Sequence, residues 1–108
     1  MIVAVAVTDT GAVDPRWGRA ERVAIAEVVG SSVASWVVHD VGWAGGHDES
    51  TEARHHASIA RFLRTQQVQA VVAHHVGAGM ARMLGTMGID LHLGASGDAR
   101  DAVVDAVG

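Results

Sequence analysis

VQAVVAH at residues 68–74, GAGMARMLGTMG at 77–88 and IDLHL at 89–93 follow one another almost without interruption. The first is a short β-branched run. The second sets Met80, Met83, Leu84 and Met87 on one side of a helix, with Gly88 as its stop, and the third is again a strand. A strand, a helix and a strand in direct succession make a right-handed crossover between parallel strands. The pattern extends both ways. Upstream, Thr51 to Thr65 has helical spacing, with Ala53, His56, Ile59, Ala60 and Leu63 sharing one face. Ser50 or Thr51 could cap that helix, with Glu52 in its first turn. Downstream, SGDARDAVVDAV at 96–107 reads as a last helix, with Asp98 and Asp101 near its positive end.

The first forty residues carry a different period. IVAVAVT at 2–8 is a continuous run of the kind buried on both faces of a sheet. RVAIAEVV at 22–29 and SVASWVVH at 32–39 are joined by a short Gly-containing hairpin signal, GSS at 30–32. The expectation is an antiparallel meander feeding into the crossover units, in the order β-β-β-α-β-α-β-α. The predicted architecture is α/β: a five-stranded mixed sheet in spatial order 3-2-1-4-5, strand 2 antiparallel, with three helices. That is the layout of the ribonuclease-H-like fold, built here as a single domain over residues 1–108.

Composition removes whole classes of chemistry. The 108 residues are 49% hydrophobic and 19% charged, a globular balance. There is no cysteine, so disulfides, thiolate zinc sites, cysteine nucleophiles and cysteine-ligated clusters within the chain are excluded. All eight basic residues are arginine, which excludes Schiff-base and Walker-type lysines. A net charge of −4 argues against sequence-independent nucleic-acid binding. Protonating all seven histidines would carry that charge to +3. No apolar run approaches the ~20 residues of a membrane span, and the N-terminus lacks a basic leader, so the expected location is cytoplasmic with no membrane partner.

In such a sheet the ligand crevice lies outside the carboxyl ends of the parallel strands. Strand 1 ends at Thr8-Asp9-Thr10, strand 4 at His74-His75 and strand 5 at Gly94-Ala95-Ser96. GAG at 77–79 and GASGD at 94–98 lead into helix N-termini, whose backbone amides attract anions. Arg16 and Arg19, in the loop DPRWGRAE at 14–21, could hold an anionic partner, with Trp17 tucked over the core edge. The candidate cofactor-binding residues are Asp9, Arg16, Arg19, Gly77, Gly79 and Ser96.

Of the seven histidines, His47 in a Gly-rich loop and His74 and His75 at a strand end are the candidate metal ligands. Adjacent residues of an extended chain point to opposite faces, so His74 and His75 are expected to diverge. His56, on the apolar helix face, reads as a core histidine, and His55, off that face, as exposed. Asp9 alone does not make a two-metal nuclease, because strand 4 ends in histidines and only Glu52 lies near the first helix.

The opening MIVAVAVTDTGAVDPRWGRAERVAI, with its WGRA turn at 17–20, resembles the dinitrogenase iron–molybdenum cofactor biosynthesis family. The Gly-His loop at 45–47, VVAHHVGAGMARML and GIDLHLGASGDARDAV match that family's later blocks in order and spacing. The resemblance covers about residues 1 to 107. It implies a ribonuclease-H-like fold without nuclease activity. It also implies a non-catalytic role in nitrogen fixation, binding or carrying an iron–molybdenum or iron–sulfur type cluster or its precursor, with a cofactor-assembly protein as partner. Without cysteine, contact with a cluster falls to histidine, arginine and backbone amides. Two other classes stay open: a metal-free protein-interaction module, and, a distant third, a magnesium-dependent hydrolase using Asp9.

Overall fold

The computed structural model describes residues 1–46 and 52–108. The sheet has five strands in the order β3-β2-β1-β4-β5. β1 is Ile2–Val7, β2 Arg22–Val29, β3 Ser32–Asp40, β4 Ala70–Val72 and β5 Asp90–His92. β1 pairs antiparallel with β2, with Val5 opposite Ala24, and parallel with β4, with Val5 opposite Val72. β2 and β3 form the antiparallel hairpin, and β4 and β5 run parallel. The predicted order and strand directions are those observed.

Three helices of nine residues or more pack on the sheet: α2 at Glu52–Thr65, α3 at Ala78–Thr86 and α4 at Ala99–Val107. A further helical turn, α1, spans Trp43–Gly46, inside the segment expected to be a Gly-rich loop. The cap candidates Ser50 and Thr51 lie outside the described residues.

Each helix end follows from local chemistry. α3 closes in a Schellman motif: Gly88 N–H bonds to the Gly85 carbonyl and Ile89 N–H to the Leu84 carbonyl, with Gly88 at φ +73°. α2 ends the same way, but Gln67 occupies the left-handed position at φ +57°. α4 starts at Asp98, whose side chain accepts the Asp101 N–H at 3.1 Å.

Side-chain alternation divides the core in two. Val3, Val5 and Val7 of β1, with Ala24, Ala26 and Val72, face α4 and its Ala99, Ala102 and Val103. Ala4 and Ala6, with Val23, Ile25 and Val71, face Ile59 and Leu63 of α2 and Met80 and Leu84 of α3. Met80 is buried and Met83 and Met87 pack against this second cluster, so the methionines serve packing, as their spacing implied.

The buried face of α2 is rotated from the expected one. His55, Ile59 and Leu63 are its buried residues, Ala53 is exposed, and His56 is half-buried. The sequence reading placed His56 inside and His55 outside. His55 is drawn inward by a hydrogen bond between its Nε2 and the Gly18 carbonyl, an acceptor 37 positions earlier in the chain.

Candidate functional site

The loop after β1 returns across the sheet and is fastened at several points. Asp14 donates its N–H to the Ala6 carbonyl, and its buried carboxylate accepts the Arg16 N–H at 2.9 Å. A single 3-10 turn over Trp17–Arg19 then drives Trp17 into the core, where it is 2% exposed. Trp17 meets Trp43 edge to face with ring centroids 5.3 Å apart, and Trp43 meets Phe62 of α2 at 5.8 Å. Trp43 N–H bonds to the Ala20 carbonyl. With the His55–Gly18 bond, these contacts fix the arginine-bearing turn against α1 and α2.

A cleft of about 440 Å³ opens between this turn, the start of α2 and the start of α3. Arg16, Trp17 and Arg19 line one side, His55 and His56 the second, and His75, Gly77 and Gly79 the third. It lies on the α2/α3 face, beyond the carboxyl end of β4, in the position expected for a ligand crevice. The start of α3 is open: Gly77, its N-cap residue, makes no side-chain cap. The Ala78, Gly79 and Met80 N–H groups therefore have no acceptor within the helix, and the positive end of its dipole faces the cleft. α4 differs, since Asp98 closes its first turn.

Gly79 has a local reason. A Cβ there would lie 3.2 Å from Cε1 of His56, so glycine lets that ring rest against α3. On its other side, His56 Nε2 is 3.7 Å from Glu52 Oε1. Arg16 keeps its guanidinium largely in water, 72% exposed, with Nε 3.7 Å from Asp14. The cleft thus presents arginine, imidazole and backbone N–H groups, with Glu52 as the carboxylate at its rim. Such a lining suits an anion with hydrogen-bond acceptor atoms.

The candidate residues divide among three places. Arg16, Arg19, Gly77, Gly79 and His75 share the cleft. Asp9 lines a separate hollow with Thr8, Gly11, Arg22 and Trp36. Ser96 lines another on the α4 face, with His92 and Asp105. His74 and His75 part company: His74 Nδ1 sits 3.3 Å from the Ala95 carbonyl, while His75 lines the cleft on the opposite face of the sheet. His47 lies outside the described residues. Among the described residues no group of three or more His, Asp or Glu side chains is arranged around one metal-ion position. The sequence reading missed His55 as the pin of the turn and His56 as a cleft residue. Neither sits in a motif, and both roles depend on elements distant in the chain.

Fold and cleft together define a ribonuclease-H-like α/β protein with a crevice lined by arginine, histidine and the start of α3. More particularly, the chain belongs to the dinitrogenase iron–molybdenum cofactor family, whose model matches residues 1–108. The family places it among proteins of iron–molybdenum cofactor assembly. Three solved structures share the fold. The crystal structure of PH0822 superposes with a TM-score of 0.76 at 20% identity, covering 98% of this chain and 88% of that one. The apo form of the orange protein from Desulfovibrio gigas gives 0.70 at 22% identity, covering 94% and 82%. The NMR structure of TM1290 from Thermotoga, of the DUF35 family, gives 0.68 at 21%, covering 94% and 83%. No curated protein matches the sequence significantly. Among the described residues no helix is long and apolar enough to cross a membrane.

Proposed function

We propose that the protein is a non-catalytic carrier that takes up an anionic iron–molybdenum or iron–sulfur type cluster, or its precursor, in the cleft and passes it to a cofactor-assembly partner. One observation supports this above the rest. Arg16, Arg19, His56 and His75 surround the uncapped start of α3 in a single crevice. Positive potential from the guanidinium groups and the helix end captures the anion. The imidazoles of His75 and His56 are exchangeable ligands, and few of them are needed, because a carrier must release what it binds. Asp9 and Ser96 line other hollows and take no part in this cleft.

The test is anaerobic incubation with an iron–molybdenum cluster or its iron–sulfur precursor, followed by metal stoichiometry per chain. Uptake is expected in wild type and in His74→Ala, whose imidazole lies on the other face of the sheet, and lost in a His56→Ala/His75→Ala double variant. Equal uptake by all three proteins would remove the cleft from the carrier role.

A further inference from the structure

The sheet has two outer edges, and they differ in how they are guarded. β5 is three residues long, with Asp90 at its start, and so short an edge offers little to pair with. β3 is nine residues long and pairs on one side alone, with β2. Residues 32–38 include no charged side chain and no proline, the residues that usually blunt an edge. Asp40, at the far end, is engaged by Arg22 of its own chain at 3.0 Å. A register shift opposite Glu27 and Val28 makes Ala34 the extra residue of a bulge and leaves residues 35–40 in regular pairing. Along 35–39 alternate N–H and C=O groups point away from β2, and among the described residues no other backbone bond reaches them. The same stretch is apolar. Val37 is 53% exposed and Val38 46%, and as neighbours on a strand they face opposite sides of the sheet. A partner lying on one face would cover one of them, whereas a strand laid along the edge covers both.

We propose that β3 docks the β3 of a second copy of this chain, antiparallel about a two-fold axis at Val37, so that two sheets join into one. The strand is its own complement in that register. Val37 meets Val37 of the second copy, Trp36 meets Val38, and Ser35 meets His39, each pair on one face of the joined sheet. Asp40 falls opposite Ala34, so no like charges are opposed. The shared edge is short. Six residues at ~3.3 Å each span ~20 Å, and with a sheet ~10 Å thick the pair buries roughly 400 Å² in all. That is well under the ~1,200 Å² of a stable complex, so the dimer is reversible, with a Kd of about 100 µM. No residue of β3 lines the cleft, which stays open in the pair, and the inference stands apart from the carrier reading.

Sedimentation velocity across concentration tests the dimer, and a cross-link tests its register. Wild type is expected to be mostly monomer at about 10 µM and mostly dimer at about 1 mM. Val37→Lys sets two ammonium groups against each other across the axis and is expected to stay monomeric at both. The chain has no cysteine, so an introduced thiol can pair only with its copy. Opposed residues of antiparallel strands have Cα atoms ~4.5–5.5 Å apart, within the range a disulfide spans. Under mild oxidation Val37→Cys is expected to cross-link at least about tenfold faster than Val29→Cys, an equally accessible valine away from the axis. A wild type that stays monomeric at the higher concentration overturns the proposal and leaves the edge to a different chain. A dimer that survives Val37→Lys, or equal cross-linking by the two cysteine variants, overturns it too, because the copies then meet elsewhere. The cross-linking comparison decides the register even if Val37→Lys folds poorly.

Discussion

Two glycines of α3 allow the packing of His56 to be measured. Gly79 and Gly85 each lie one residue inside an end of the helix, and neither has a positive φ, so alanine is permitted at both. Replacing glycine by alanine within a helix stabilises by about 0.5–1 kcal/mol, through reduced chain entropy in the unfolded state. At Gly85 an added Cβ meets nothing within 4 Å, so Gly85→Ala should deliver that gain in full. At Gly79 the Cβ would stand 3.2 Å from His56 Cε1. The ring must give by a few tenths of an ångström, and displacing it off its rotamer costs about 0.5–1.5 kcal/mol. Gain and cost nearly cancel. For a domain of this size about 1 kcal/mol moves Tm by about 4–8 °C. Thermal unfolding followed by circular dichroism should show Gly85→Ala melting a few degrees above wild type and Gly79→Ala close to wild type. Removing the ring in a Gly79→Ala/His56→Ala pair, compared with His56→Ala alone, should restore the gain, which is the non-additivity expected of touching residues. Equal increases for Gly79→Ala and Gly85→Ala in the presence of His56 would refute the contact, and with it the placement of His56 against the start of α3.

Two further outcomes follow from the helix ends. Gln67 holds a left-handed conformation that glycine adopts without strain, so Gln67→Gly should stabilise by about 0.5–1 kcal/mol, seen as a higher urea midpoint at unchanged slope. Asp98→Ala removes the side-chain cap on Asp101 N–H and should cost about 1 kcal/mol, while leaving cluster uptake intact because α4 lies on the face away from the cleft.

The topology could be read from the chain because it rests on local signals. The unbroken apolar run at 2–7 marks a central strand, Gly30 at φ +61° makes the hairpin, and the strand–helix–strand succession from Ala70 to His92 admits one handedness. The helix stop at Gly88 was legible for the same reason. The rotation of α2 was not. Taking Ala53 and His56 as inward-facing gave a plausible stripe, but the true stripe is set by what lies opposite. The Gly18 carbonyl offers His55 an acceptor, and His56 gains the space left by Gly79. One partner lies in a 3-10 turn and the other in a different helix, and the periodicity of α2 encodes the position of neither. The cleft was half visible: Arg16, Arg19, His75 and the two glycines at the start of α3 were named from sequence. That Asp9, His74 and Ser96 lie elsewhere depends on the alternation and twist of strands that converge in sequence order but present their ends to different faces.

β1 is closed on both sides, with Val3, Val5 and Val7 in one apolar cluster and Ala4 and Ala6 in the other. The six-residue strand is thus a shared wall between two rooms. Neither layer can be opened without stripping one side of the strand that the other layer leans on. Loss of α4 would expose the three valines and weaken the backbone ladder on which α2 and α3 depend, so the protein should lose both layers in one cooperative event. The amides of β1 and of its neighbours β2 and β4 would then be the last to exchange with solvent. The cleft sits at the margin of this wall, built from turns and helix starts.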